Sequence, residues 1–147
     1  MGISIKKFSE SVSFAEQPAE SDLKDWAEAG FRTVVNLRPA GEVERGLSPS
    51  KEASVCEELG LDYIHLPTNL DDLSKDHVQH CREKLEGAPQ PMVIHCAGGA
   101  RAAIVASVIH AWEKGASGDE VVGMVEQTGQ SFNQKLRERV VELADSQ

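Results

Sequence analysis

The chain has 147 residues, 40% apolar and 27% charged, the make-up of an ordinary soluble domain large enough to fold without disulfide staples. Its net charge of −9 argues against a nucleic-acid or anionic-membrane surface, each of which needs a clustered basic face, but leaves room for one local positive pocket. Three cysteines, an odd count with no CxxC pair, argue against a secreted disulfide framework and weaken zinc-ribbon and thioredoxin readings. The start, "MGISIKKFSE", lacks the apolar centre of a signal peptide, and Lys6 spoils a myristoylation site at Gly2. The longest apolar run, "AAIVASVI", falls far short of the ~20 residues that span a bilayer. A reducing cytoplasm is the expected home.

Short apolar runs alternate with longer helical patterns, which predicts an α/β fold with a largely parallel sheet. "ISIKKFSESVSFAEQP" reads as one or two short strands near a sheet edge. "PAESDLKDWAEAG" is a helix with early acids, and "FRTVVNL" a buried strand. After the Pro- and Gly-rich loop "RPAGEVERGLSPS" come the helix "SKEASVCEELG" and the strand "LDYIHLP". The polar loop "TNLDDLS" leads to the helix "SKDHVQHCREKLEG", with Ser74 as its expected cap. "PMVIHC" is a short apolar strand. "RAAIVASVIHAWEKG" is a helix apolar nearly all round, so it should lie buried. Two helices follow, and Ser117 with Glu120 and Ser131 with Gln134 each fit a capping box. This helical last third should pack across one face of the sheet.

The order of elements puts Cys96 at the C-terminal end of a central strand, where open α/β folds build their ligand sites. The stretch "VIHCAGGARA" then turns sharply at Gly98 and Gly99 and enters a helix near Arg101. Such a turn aims main-chain N–H groups inward as an anion nest, with the small Ala97 and Ala100 leaving it open. The helix N-terminus adds its positive end. A thiolate in such a place is stabilised, with cysteines of this kind reaching pKa values of about 3.5–7.5. The Arg101 guanidinium matches two oxygens of a phosphate. Cys96, Ala97, Gly98, Gly99, Ala100 and Arg101 thus combine a nucleophile, an anion cradle and a charge clamp. The expected chemistry is attack of the Cys96 sulfur on phosphorus, giving a cysteinyl-phosphate that water hydrolyses, with no metal and no cofactor. A buried Cys and a Gly turn with no chemistry are the alternative, and His95 is either an orienting group for the loop or a satisfied core histidine.

The loop resembles the signature loop of the cysteine-dependent protein tyrosine phosphatase superfamily, in which His-Cys precedes a Gly-containing loop and Arg. Together with "SFAEQPAESDLKDWAEAGFRTVVNLRPAGE", it is most similar to the bacterial beta-lactamase-hydrolase-like phosphatases, relatives of the dual-specificity phosphatases. The resemblance runs from about Ile3 to about Trp112. It implies one phosphatase-like domain over residues 1–147: a three-layer fold with a central, mainly parallel sheet of four or five strands flanked by helices. It also implies Cys96 as nucleophile and Arg101 as phosphate binder, acting on a phosphorylated small molecule or phosphoprotein.

Two departures stand out. Four residues separate Cys96 from Arg101, where the usual phosphatase loop has five. Rhodanese-like sulfurtransferases cradle a persulfide in similarly short loops, so a persulfide on Cys96 is the alternative chemistry. Ala102 stands where many phosphatases carry a hydroxyl that helps the thiolate leave. A module that only binds an oxyanion is the third reading.

A phosphomonoesterase also needs a general acid for the leaving oxygen. The loop after "LDYIHLP" would lie beside Cys96 if the two strands were neighbours. It offers Asp71 and Asp72, with Asp76 one turn later, against the plain reading of solvated acids before a helix cap. Arg38 and Glu42, in "NLRPAGE", are expected to pair with each other or to brace the Cys96 loop from just behind it. Cys56 and Cys81 read as packed small residues, or one of them as a disulfide partner for Cys96 on oxidation. His65, His77, His80 and His110 form no metal-ligand pattern.

Overall fold

The computed structural model describes residues 5–42 and 47–147. Five strands form one sheet in the order β1-β2-β5-β3-β4. They are β1 (Lys6–Lys7), β2 (Val12–Ala15), β3 (Thr33–Asn36), β4 (Asp62–His65) and β5 (Met92–His95). All pairings are parallel except that of β1 with β2. The six helices are α1 (Glu20–Glu28), α2 (Pro49–Leu59), α3 (Lys75–Leu85), α4 (Ala100–Lys114), α5 (Gly118–Gln127) and α6 (Gln134–Ala144).

Side-chain alternation along the strands builds two cores. Val35 and Ile94 face α3, α4, α5 and α6, while Val34 and Val93 face α1 and α2. The result is three layers, as expected, with β5 in the middle of the sheet. Helix α4 buries ten of its residues, Arg101 through Val108 together with Ala111 and Trp112, which accounts for its nearly uniform apolar sequence. Trp112 Nε1 donates to the Leu143 carbonyl at 3.0 Å and ties α6 onto α4.

Ser74 caps α3 by accepting from the His77 N–H at 3.1 Å. The capping box of Ser117 and Glu120 is present in both directions. The box expected at Ser131 is not. Helix α6 starts three residues later, where the Asn133 side chain accepts from the Leu136 N–H at 2.8 Å, so Gln134 is the first helical residue. Asparagine is as good a cap as serine, and the pairing pattern alone did not separate them.

Strands β4 and β5 are not neighbours, because β3 lies between them. The loop after β4 nevertheless reaches the Cys96 end. Leu66 N–H donates to the Asn36 carbonyl and Thr68 N–H to the Leu37 carbonyl, both at 2.8 Å. The ladder therefore continues past the strand ends and draws the chain across β3.

At Gly118, a Cβ would stand 2.6 Å from the Val141 Cα, so α5 and α6 touch through backbone there. Gly118→Ala is expected to force the helices apart and cost about 1–3 kcal/mol, the usual penalty for overpacking. Thermal melting of the variant checks this.

Candidate active site

The loop from Cys96 to Arg101 links the end of β5 to the start of α4. Cys96 sits at its floor, 1% exposed, and the Gly99 N–H donates to its Sγ at 3.1 Å. Gly99 has φ +95°, which an L side chain adopts only with strain, and Gln130 Oε1 stands 2.9 Å from where its Cβ would be. Gln130 in turn accepts from Lys6 Nζ at 3.0 Å. The N–H groups of Ala97, Gly98 and Ala100 meet no main-chain acceptor among the described residues outside the helix's own bonding. They are the donors that a nest would offer to an anion.

Arg101 is 9% exposed and does not reach into water. Its NH1 and NH2 grip both oxygens of Glu42 end-on, at 2.8 and 2.5 Å, and NH1 also donates to the Thr68 carbonyl at 3.0 Å. Three of the five guanidinium N–H donors are thereby used. The pair left over, Nε–H and the second NH2 hydrogen, forms the side edge that fits two oxygens of a tetrahedral anion. Glu42 raises the pKa of Arg101 further above its usual value against the cost of burial, and the Cys96 thiolate adds to that shift.

Arg38 and Glu42 pair with each other, and Glu42 alone also reaches Arg101. Arg38 Nε donates to Glu42 Oε1 at 3.0 Å, and Glu42 braces Arg101. The turn that presents them is fixed by Asn36, whose side chain accepts from the Arg38 N–H at 2.9 Å and donates to the Tyr63 hydroxyl at 3.0 Å. His65 Nε2 lies 2.6 Å from the Arg38 carbonyl.

A shallow cavity of about 620 Å³ is lined by Glu42, Asn69, Leu70, Asp71 and Arg101. Asp71 therefore shares a surface with Arg101. Asp72 belongs to the same short 3-10 turn, but its side chain lies outside the described residues. Asp76 opens α3. Leu70, 45% exposed, is the one large apolar side chain standing free in solvent among the described residues. Cys56 and Cys81 are buried, and burial pushes their thiols up to about 12 and about 11. Among the described residues no group of three or more His, Cys, Asp or Glu is placed to hold a metal ion. No helix there is long and apolar enough to cross a membrane.

Sequence reasoning missed Gln17, Glu52 and Thr68. Glu52 Oε2 lies 2.6 Å from His95 Nε2, with both side chains fully buried. Gln17 Nε2 donates to Glu52 Oε1 at 3.2 Å. The signal for Glu52 was available: it falls on one helical face with Val55 and Cys56, an acid in an apolar stripe.

The fold and loop geometry can be set beside known proteins. Residues 4–113 match the family model described as "Beta-lactamase hydrolase-like protein, phosphatase-like domain". The chain belongs to this family. A beta-lactamase hydrolase-like protein of Agrobacterium fabrum is 28% identical over 96 residues, covering 65% of this chain and 22% of that protein. The chain thus spans under a quarter of the length of that curated relative. Tk-PTP in its active form superposes with a TM-score of 0.79 at 22% identity, covering 98% of this chain and 97% of the other. TpbA of P. aeruginosa superposes at 0.73 and 15% identity, covering 99% and 85%. The family member therefore has the fold of the cysteine-dependent tyrosine phosphatases.

The Arg101 guanidinium, helped by Arg38 and working against burial, holds the Glu42 carboxyl at about 2, below its ordinary 4.5. A depressed carboxyl adds stability above its unfolded value and loses it as pH falls toward the folded one. The stability difference between wild type and Glu42→Gln should be constant above about pH 4.5 and shrink as pH falls to about 2. Denaturant melts across that window check the sign.

Proposed function

We propose that the protein is a metal-independent phosphomonoesterase working through a cysteinyl-phosphate on Cys96. The observation that carries this is Arg101 held end-on by Glu42, with its free side edge beside the Cys96 loop. A guanidinium fixed in this way is preorganised for the equatorial oxygens of a phosphoryl group in transfer. The main-chain N–H groups of Ala97, Gly98 and Ala100 bind the same oxygens.

In the first step the Cys96 thiolate attacks phosphorus, an S–P bond forms, and the P–O bond to the leaving group breaks. The leaving oxygen takes a proton from Asp71 or Asp72, of which Asp71 lines the cavity. In the second step water attacks phosphorus while that carboxylate takes one of its protons, the S–P bond breaks, inorganic phosphate leaves, and the thiolate and the protonated acid are restored. Arg38 and His95 act from behind, through Glu42 and the loop backbone. Ala102 is fully buried and carries no hydroxyl, so nothing at that position eases thiolate departure. Family membership supports phosphate chemistry over the persulfide and binding-only alternatives. The substrate class is a phosphorylated small molecule or phosphoprotein. A cysteine-to-serine variant of TpbA, which shares the fold, has been crystallised in complex with pTyr. A cytoplasmic location is part of the same proposal.

With para-nitrophenyl phosphate, wild type should release phosphate and Cys96→Ser should not. Arg101→Lys, which keeps the charge but loses the flat side edge, should lower kcat/KM by about 100-fold or more. Thiocyanate from thiosulfate and cyanide, without phosphate release, would establish the sulfurtransferase instead. Oxyanion binding with neither product would leave the binding module.

Iodoacetate at pH 7 should label Cys96 first, with phosphate protecting it. Cys56 and Cys81, pushed up to about 12 and about 11, should stay unlabelled until the protein unfolds. Mass mapping of the labelled peptides decides the order.

A further inference from the structure

The Glu52 carboxylate is buried to 0% exposure on α2, on the opposite face of the sheet from α4. Two groups meet its two oxygens. His95 Nε2 lies 2.6 Å from Oε2, and Gln17 Nε2 donates to Oε1 at 3.2 Å. Gln17 cannot turn its amide over, because its own Oε1 accepts from Arg38 NH1 at 3.2 Å. Its N–H also donates to the Ala97 carbonyl at 3.3 Å, inside the loop. From Arg38 the chain of bonds passes to Glu42 and on to Arg101. The two ends of the Cys96–Arg101 loop are thus connected through one carboxylate, by way of His95 on one side and Gln17, Arg38 and Glu42 on the other.

We propose that Glu52 is a positioning residue that locks the Cys96–Arg101 loop, by holding a proton on His95 Nε2 and the Gln17 amide at the same time. The inference rests on the phosphatase reading of that loop.

The chemistry is one of acceptor count. Two donors converge on position 52, and a carboxylate offers an acceptor to each. A carboxamide of the same size offers one acceptor and one donor. With Gln17 fixed by Arg38, Glu52→Gln must either turn His95 to the other tautomer or break the link to Gln17. The second ring nitrogen, His95 Nδ1, is buried and has no partner among the described residues, so nothing there holds the ring in compensation. Cys56 on the same helix and Tyr63 on β4 both have raised pKa values, mainly through burial, with the charge of Glu52 adding to each.

The test uses Glu52→Gln, Gln17→Leu and the double variant. Each single variant should lower kcat for para-nitrophenyl phosphate by about tenfold or more with little change in KM, since a misplaced reacting group can cost about 10²-fold. Each should also slow alkylation of Cys96 at pH 7. The double variant should lose much less than the product of the two single losses, because both cut one relay. Fully multiplicative losses, or Glu52→Gln with lowered melting temperature but unchanged kcat and alkylation, would overturn the relay and leave Glu52 a packing residue. Nitrogen-15 NMR of wild-type His95 decides the point even where a variant fails to fold. A proton on Nε2 at pH 7 is expected, and a bare Nε2 overturns the proposal. Wild type without phosphate release would overturn the phosphatase reading instead, and alkylation and NMR would still read the relay.

Discussion

The site depends on a carboxylate and a guanidinium meeting end-on. Glu42 and Arg101 are 59 positions apart and join through two oxygens and two nitrogens. An exposed ion pair contributes little, because water competes and two long side chains lose freedom. This one differs: its arginine is largely buried, Thr68 takes a further N–H, and Arg38 holds the carboxylate from the other side. The pair therefore costs desolvation and repays it as geometry. It fixes which edge of the guanidinium is spent and which stays free.

Everything else brings those two residues to one place. Parallel pairing sets β3 directly beside β5, with Asn36 opposite His95, so the turn bearing Glu42 and the loop bearing Cys96 leave the sheet together. Burial on both faces explains the apolar Val34-Val35 and Met92-Val93-Ile94 runs, while the polar Thr33, Asn36 and His95 at the strand ends are buried with hydrogen-bond partners. The strand-end hydrogen bonds of Leu37, Leu66 and Thr68 then carry the neighbouring loops over the same edge. The candidate site is thus assembled at one end of the sheet.

Much of this was legible in the sequence. The alternation of short apolar runs and capped helices gave the layers, since "TVVN" and "MVIH" are too short for helices and rich in β-branched residues. Cys96, the glycines and Arg101 were legible because their chemistry is local: one turn contains it. The condition set for Asp71, that β4 adjoins β5, is not met, and it is the strand-end hydrogen bonds of Leu66 and Thr68 across β3 that bring its loop to the cavity shared with Arg101. Glu52 and Gln17 were not read. Their partners lie 43 and 35 positions away, so even an acid placed in the apolar stripe of α2 does not reveal in the sequence what it meets. The Ser131 cap failed for a smaller reason, two good capping residues lying within one turn of each other.

The bonds that shape the loop come from Gln17, Arg38, Glu42, Glu52 and Thr68, all of them N-terminal to it. A ribosome emitting this chain has therefore already made every brace before the cysteine emerges. Transplanting the decapeptide "VIHCAGGARA" into another scaffold would carry over its glycines and its sulfur but none of its scaffolding. Its arginine would then be free to wander into solvent.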